Sequence, residues 1–317
     1  MFGSDLDPDV DELERLAREA LPLLEQAADH AGLVHVWRAL GFGVANFRGR
    51  WDDWTEASEQ ARRHARLAGQ AASPRGAEEL ALASGSLPAD KALLRLDELV
   101  PENPHPAMVL VRAWVLAMLG RFEEASAIEQ EASDRYVELM GAHWVEWIPA
   151  QIAEFAADHE AAARQLRSLC DLLEGDEQRF YLSSVAPAYA RVLCATGHDE
   201  EADRWIKRTG ELDIRTNVLG RALQNQVEAL VQSHRGAHAH AEQLAREGVA
   251  IIETTDGLNY QDAYCDLSEV LAAAGRTEEA AAALEQALDR YERKKNLAMV
   301  TQVRPRLNEL RASLTGQ

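Results

Sequence analysis

Apolar residues along this chain recur at three and four positions, rather than in the two-residue alternation of a half-buried strand. Val109, Ala113, Leu116 and Met118 form one such stripe, and Ala280, Leu284, Ala287 and Leu288 another. That spacing returns side chains to one face of an α-helix. Short restarts of similar sequence separate the stripes: "GRWDDWTEA" from Gly49, "GRFEEA" from Gly120, "GHDEEA" from Gly197 and "GRTEEA" from Gly275. Weaker copies are "GSLPADKA" from Gly85, "ADHEAA" from Ala157 and "GAHAHA" from Gly236. Successive anchors stand 36, 35, 37, 40, 39 and 39 residues apart. A period in this range marks a helical solenoid.

Each part of the restart has a physical task. The glycine takes the left-handed backbone that ends a helix. The Asp or Glu two or three positions later favours the positive end of the next helix, and Thr277 and Asp199 read as its N-caps. Ala125, Ala202, Ala241 and Ala280, five positions past their anchors, let two helices approach closely. One hairpin cannot cover its own apolar face, so neighbours stack. The pattern predicts helices over 33–48 with 51–68, 74–84 with 88–99, 105–119 with 121–140, and 142–156 with 158–174. Further pairs are 177–196 with 198–213, 215–235 with 237–254, and 258–274 with 276–294.

The chain 1–317 therefore reads as one solenoid domain with seven hairpins over 33–294 and a capping helix over 295–317, bent at Pro305. Residues 1–32 read as an incomplete half-repeat, the second helix of a pair whose first is missing, kinked or divided at Pro22. Its apolar positions Leu13, Leu16, Ala20, Leu23, Leu24 and Ala27 lack one neighbour, which makes this end the expected sticky surface. Residues 69–90 and 100–106, rich in Gly, Ser and Pro, are the expected places for a bend.

The pattern resembles the tetratricopeptide repeat (TPR). In that family a small residue precedes the turn by seven positions, matched by Ala113, Ala190, Ala229 and Ser268. A further small residue comes seven after the post-turn alanine, as at Ala132 and Ala287. The resemblance implies an all-α, right-handed superhelix of about seven TPR-like hairpins. The period is longer than the family's usual one, and its tryptophan–tyrosine signature is mostly missing. "YLSSVAPAYARVLCATGHDEEADRW" and "GLNYQDAYCDLSEVLAAAGRTEEAAAALEQALDRYERKKN" are similar to the C-terminal repeat region of actinobacterial class III nucleotide cyclase–ATPase signalling proteins. That likeness covers nearly all of the chain, is specific for 181–296, and weakens around 209–226. No phosphate-binding G-x-x-x-x-G-K-[ST] stretch occurs, and none of the four lysines follows a glycine. The resemblance thus implies a regulatory region without its catalytic engine, detached from or cut out of a larger regulator.

Charge narrows the partners. With 33 basic and 53 acidic residues the formal net charge is −20, which disfavours nucleic acid and anionic membranes. No signal peptide or apolar run of membrane-spanning length is visible. Three widely spaced cysteines, Cys170, Cys194 and Cys265, read as reduced thiols and the compartment as cytoplasm.

Counting back from the turn anchors places Trp114, Trp144, Trp147, Gln151, Glu154, Arg191, Gln226, Asp262 and Glu269 on the first helices of their hairpins, facing the concave side. A groove of aromatics and isolated polar groups suits a peptide or small ligand; the competing expectation is that the tryptophans fill the core. His234, His238 and His240 are the one candidate metal set, though two-residue spacing splays side chains to different faces of a helix. The carboxylate pairs Glu123-Glu124, Glu200-Glu201 and Glu278-Glu279 read as helix-start charges. No catalytic triad or zinc-protease arrangement emerges, and no cofactor is implied. The leading expectation is a non-catalytic scaffold that binds a protein, peptide or small effector and regulates a nucleotide cyclase, ATPase or transcriptional regulator. The alternatives are a stand-alone cytoplasmic peptide receptor, with basic or apolar peptides favoured by the charge, and a metal-dependent hydrolase.

Overall fold

A computed structural model describes residues 9–70, 77–99, 104–140, 147–175, 178–212, 216–258 and 262–315. Its helices are α1 (Val10–Gln26), α2 (His30–Arg38), a π-helical segment (Ala39–Ala45), α3 (Trp51–Leu67), α4 (Ala77–Ser84), α5 (Ala89–Leu99), α6 (Pro106–Met118) and α7 (Phe122–Met140). There follow α8 (Trp147–Phe155), α9 (His159–Gly175), α10 (Arg179–Ala195), α11 (Asp199–Gly210), α12 (Val218–His234) and α13 (His238–Ile252). The last three are α14 (Asp262–Ala273), α15 (Thr277–Lys294) and α16 (Leu297–Thr315). There is no strand among the described residues. The helices form a right-handed superhelical solenoid of TPR-like hairpins. Parts of the expected bends at 69–90 and 100–106 lie outside the described residues.

The turns show why the period exists. Gly120, Gly197, Gly236 and Gly275 take φ between 74° and 81°. At the last of these, Gly275 N–H donates to Ala272 O and Arg276 N–H to Leu271 O, both at 2.9 Å. These are the paired bonds that satisfy the final carbonyls of a helix. A Cβ at Gly275 would meet no atom within 4 Å, so its cost is backbone strain alone. Gly275→Val is expected to lower stability by about 1–2 kcal/mol, read as a shift in the urea midpoint; an unchanged midpoint would contradict the turn. Ala157, anchor of a weaker copy, takes the same left-handed backbone at φ 58°. Gly85 does not take it; there Asp52 Oδ1 accepts from Ser86 N–H at 2.9 Å.

The small residues sit at the crossings. Ala125, Ala202, Ala241 and Ala280 are fully buried, as are Ala113, Ala190 and Ala229. Ser268 takes the equivalent place in the last hairpin and donates its hydroxyl to Ala280 O at 2.8 Å. Two local expectations need correction. Thr277 and Asp199 are the first residues of their helices, not caps; Arg276 and His198 precede them and make no side-chain capping bond. The left-handed glycine leaves room for only one bridging residue before the helix, and its carbonyl starts the ladder (Ala280 N–H to Arg276 O, 3.0 Å). Pro22 does not divide α1, which runs unbroken through it.

The N-terminal helix leaves Leu16 and Leu23 exposed. After α2 the chain widens into the π-helical segment, which the repeat pattern did not foretell. Gly41 lies in that segment where a Cβ would come within 2.6 Å of the Trp54 ring, so its bare backbone lets α3 approach.

The solenoid closes on itself. Asp256, in the loop after α13, accepts from the N–H groups of Trp51 (2.8 Å) and Asp52 (3.0 Å). Residue 50 supplies no side-chain cap there, so a distant carboxylate satisfies the start of α3. One hairpin further on, Lys294 Nζ donates to Gly85 O (2.6 Å) and Leu87 O (2.7 Å), and Lys295 pairs with Asp90 at 2.6 Å. The first hairpin thus meets the sixth, and the second meets the seventh. The terminal helix was expected only to cap the end. It packs on α15, continues through Pro305, and also crosses the interior: Gln302 Nε2 donates to Glu154 O (3.2 Å) and Phe155 O (2.9 Å) at the end of α8.

Candidate functional site

The concave side of the later hairpins holds a cavity of about 490 Å³, walled by α8, α10, α12 and α14 and crossed by α16. On α14, Asp262, Asp266 and Glu269 lie four and three residues apart, which puts all three on one face. Gln151 and Glu154 do the same on α8, and Arg191 comes from α10. These five expected groove residues, Gln151, Glu154, Arg191, Asp262 and Glu269, all line the cavity.

Arg191 is the centre. Its guanidinium grips Asp266 with Nε at 3.0 Å from Oδ2 and Nη2 at 3.1 Å from Oδ1. It also stands 3.6 Å from Asp262 and 3.5 Å from Glu154. Gln151 Nε2 donates to Glu154 Oε2 at 2.8 Å, and the Tyr291 hydroxyl donates to Asp262 Oδ1 at 2.9 Å. Three carboxylates therefore share one guanidinium. Burial pushes the Glu154 carboxyl up to about 7, with Arg191 opposing and the two aspartates reinforcing the rise. Burial likewise raises Asp266 to about 6 against the pull of Arg191. Glu269 pairs with Arg306 of α16 (3.8 Å) and His234 (3.4 Å). The innermost cluster thus has room for more positive charge.

The other expected groove residues lie elsewhere. Trp114 is 1% exposed and packs in the core, stacked on Phe155 with centroids 6.5 Å apart. All of α6 except Val109 and Arg112 is buried, so an inner-helix position there does not mean an open face. Gln226 is buried within α12 beside Gly248 and does not reach the cavity. Trp147 lines a separate, aromatic cavity, and Trp144 lies outside the described residues. Sequence reasoning missed Asp266, which follows Asp262 by one helical turn, and the α16 side chains Met299, Gln302 and Arg306.

His234 Nδ1 lies 2.8 Å from Asp199 and its Nε2 faces Glu269. Among the described residues no group of three or more His, Cys, Asp or Glu side chains is placed to hold a metal ion. All three cysteines are buried, and burial pushes each thiol up, away from the reactive thiolate. No helix among the described residues is long and apolar enough to cross a membrane.

Comparison with known proteins agrees with this architecture. The tetratricopeptide repeat family pattern matches residues 261–294, the span of α14 and α15. No curated protein matches the chain. Among solved structures, a chain of the APC/C hetero-tetramer Cut9-Hcn1 aligns with a TM-score of 0.60 at 12% identity, over 90% of this chain and 51% of that one. The present chain thus spans about half the length of that relative, and at such identity the likeness speaks to fold alone. The protein is an all-α solenoid whose last hairpin matches the tetratricopeptide repeat pattern and whose superhelical fold is similar to that of a chain in that assembly.

Proposed function

We propose that the protein is a non-catalytic TPR-like interaction module whose charged interior cavity receives a compact cationic group: a basic side chain of a partner peptide, or a small effector bearing one. The observation that carries this reading is the convergence of Glu154, Asp262 and Asp266 on the single guanidinium of Arg191 inside a recess of the concave side. A second cation would relieve the unpaired excess of negative charge. The −20 net charge would draw such a partner in from solution. The likeness of residues 181–296 to cyclase–ATPase regulators supports a signalling role, with a nucleotide cyclase, ATPase or transcriptional regulator as the protein controlled.

Calorimetric titration tests the cavity. Nα-acetylarginine amide should bind at least about ten-fold more tightly than the uncharged Nα-acetylcitrulline amide, as expected when one charged hydrogen-bonded contact is gained. Asp262→Asn should remove most of that preference. Equal affinity for the two amides, or no heat from either at millimolar concentration, would refute the reading.

A further inference from the structure

A second cavity, of about 190 Å³, lies where the first hairpin meets the fourth and fifth. Its wall is aromatic. Phe42, Phe47, Trp51, Trp54, Trp147 and Phe180 all line it. The whole chain has seven tryptophans and six phenylalanines, so three of each at one cavity is a strong local concentration. Phe42 meets Trp54 edge-on at 5.7 Å, and Phe47 tilts against Phe180 at 4.5 Å. These are arrangements that aromatic quadrupoles favour, and a further ring extends the same set.

The lining carries no Asp, Glu, Lys or Arg among the described residues. Its most deeply placed polar side chain, Asn217, is already committed. Its Nδ2 donates to the hydroxyls of Ser183 (2.8 Å) and Ser184 (2.5 Å), and its Oδ1 accepts from Gly220 N–H (3.0 Å). The cavity therefore offers apolar faces, the Asn46 carboxamide and the hydroxyl-bearing Tyr181 and Ser184, with no charged side chain to neutralise a charge. Its volume slightly exceeds the apolar cavity of about 150 Å³ that is known to take up benzene.

A second observation points to the same place. The seven-residue π-helical segment Ala39–Ala45 contributes Phe42 to the wall and leads directly into Asn46 and Phe47. π-Helical turns are rare and are frequently found at functional sites. Here the segment changes the register of the chain just where these side chains enter the cavity. Gly41 within it gives Trp54 its place.

We propose that this cavity is a binding site for a small, uncharged, planar aromatic molecule of indole size, separate from the charged cavity. Indole is the probe. At millimolar concentration it should raise the Tm of the wild-type chain by roughly 2 °C. The ¹⁹F resonance of a fluorinated indole should broaden on addition of the protein and sharpen again with excess unlabelled indole. Val185→Phe, which fills the cavity from α10, should abolish both effects. Should that variant fail to fold, Leu80→Phe from α4 makes the same comparison. A sharp ¹⁹F line with the wild type, or equal broadening by wild type and filled variants, would overturn the proposal.

Discussion

Replacing Arg191 by leucine is expected to cost about 3 kcal/mol of stability at pH 7.5 and markedly less at pH 5, by the general penalty for stranding buried charge. At the higher pH the substitution leaves Asp266, Asp262 and Glu154 facing one another without their shared cation. At the lower pH the folded protein escapes by taking up protons. Glu154 and Asp266 already sit at about 7 and about 6, raised by burial against the pull of Arg191, and removing the arginine raises both further. An acid whose folded value lies above its unfolded one adds stability below the unfolded value and loses it as pH climbs through the folded one. The wild type therefore loses this contribution between pH 4.5 and about 7, and the variant loses more over a range extending higher. Urea denaturation at pH 5 and pH 7.5 reads both. An equal loss at the two values would mean that the carboxylates do not depend on the guanidinium.

Lys294 gives the opposite slope. Its side chain is fully buried, and burial lowers its value to about 7, with Asp52 and Asp256 holding it up. A neutral amine still has two N–H groups, enough for its bonds to Gly85 O and Leu87 O. A base whose folded value is depressed binds its proton more weakly than the unfolded chain does, so stability rises with pH from about 7 towards 10. The increment from this one group approaches about 1.4 kcal/mol per pH unit. Lys294→Met should flatten the curve of stability against pH by roughly 1 kcal/mol per unit over this range, besides lowering it by the two lost bonds. Parallel curves for wild type and variant would mean that the amine is solvated and the ends of the superhelix do not meet.

The helices were legible because their signals are local. A glycine that needs left-handed backbone, acids at the next helix start and an alanine at the crossing each act within a few residues of Gly120, Gly197 or Gly275. Ala157 shows the limit: the position keeps the turn although its residue pays for a Cβ there. Counting from these anchors brought out Gln151, Glu154, Arg191, Asp262 and Glu269, which one cavity does unite. The same count misplaced Trp114. It names a helix but not a face, and α6 is apolar everywhere but Arg112, so no broad amphipathic stripe corrects it. Closure was not legible, because it depends on the summed twist of six hairpins. One clue was nevertheless present. Lys294 falls three residues after Tyr291 and seven after Ala287, on the buried stripe of α15, where a lysine is out of place unless it has distant partners. The π-helical segment left no such clue, since Gly41 and Gly43 read equally well as helix or turn.

The aromatic cavity requires the first hairpins to meet the later ones, and zero-length carbodiimide cross-linking with peptide mapping tests this closure most directly. Lys295 Nζ stands 2.6 Å from Asp90 across the closure, while Lys207 and Asp203, 2.9 Å apart on α11, provide a local pair for comparison. Closure predicts an intramolecular Lys295–Asp90 bond formed alongside the Lys207–Asp203 bond in dilute monomeric protein. Recovery of the local bond without the distant one would show an open superhelix and remove the apposition of early and late hairpins that builds the aromatic cavity.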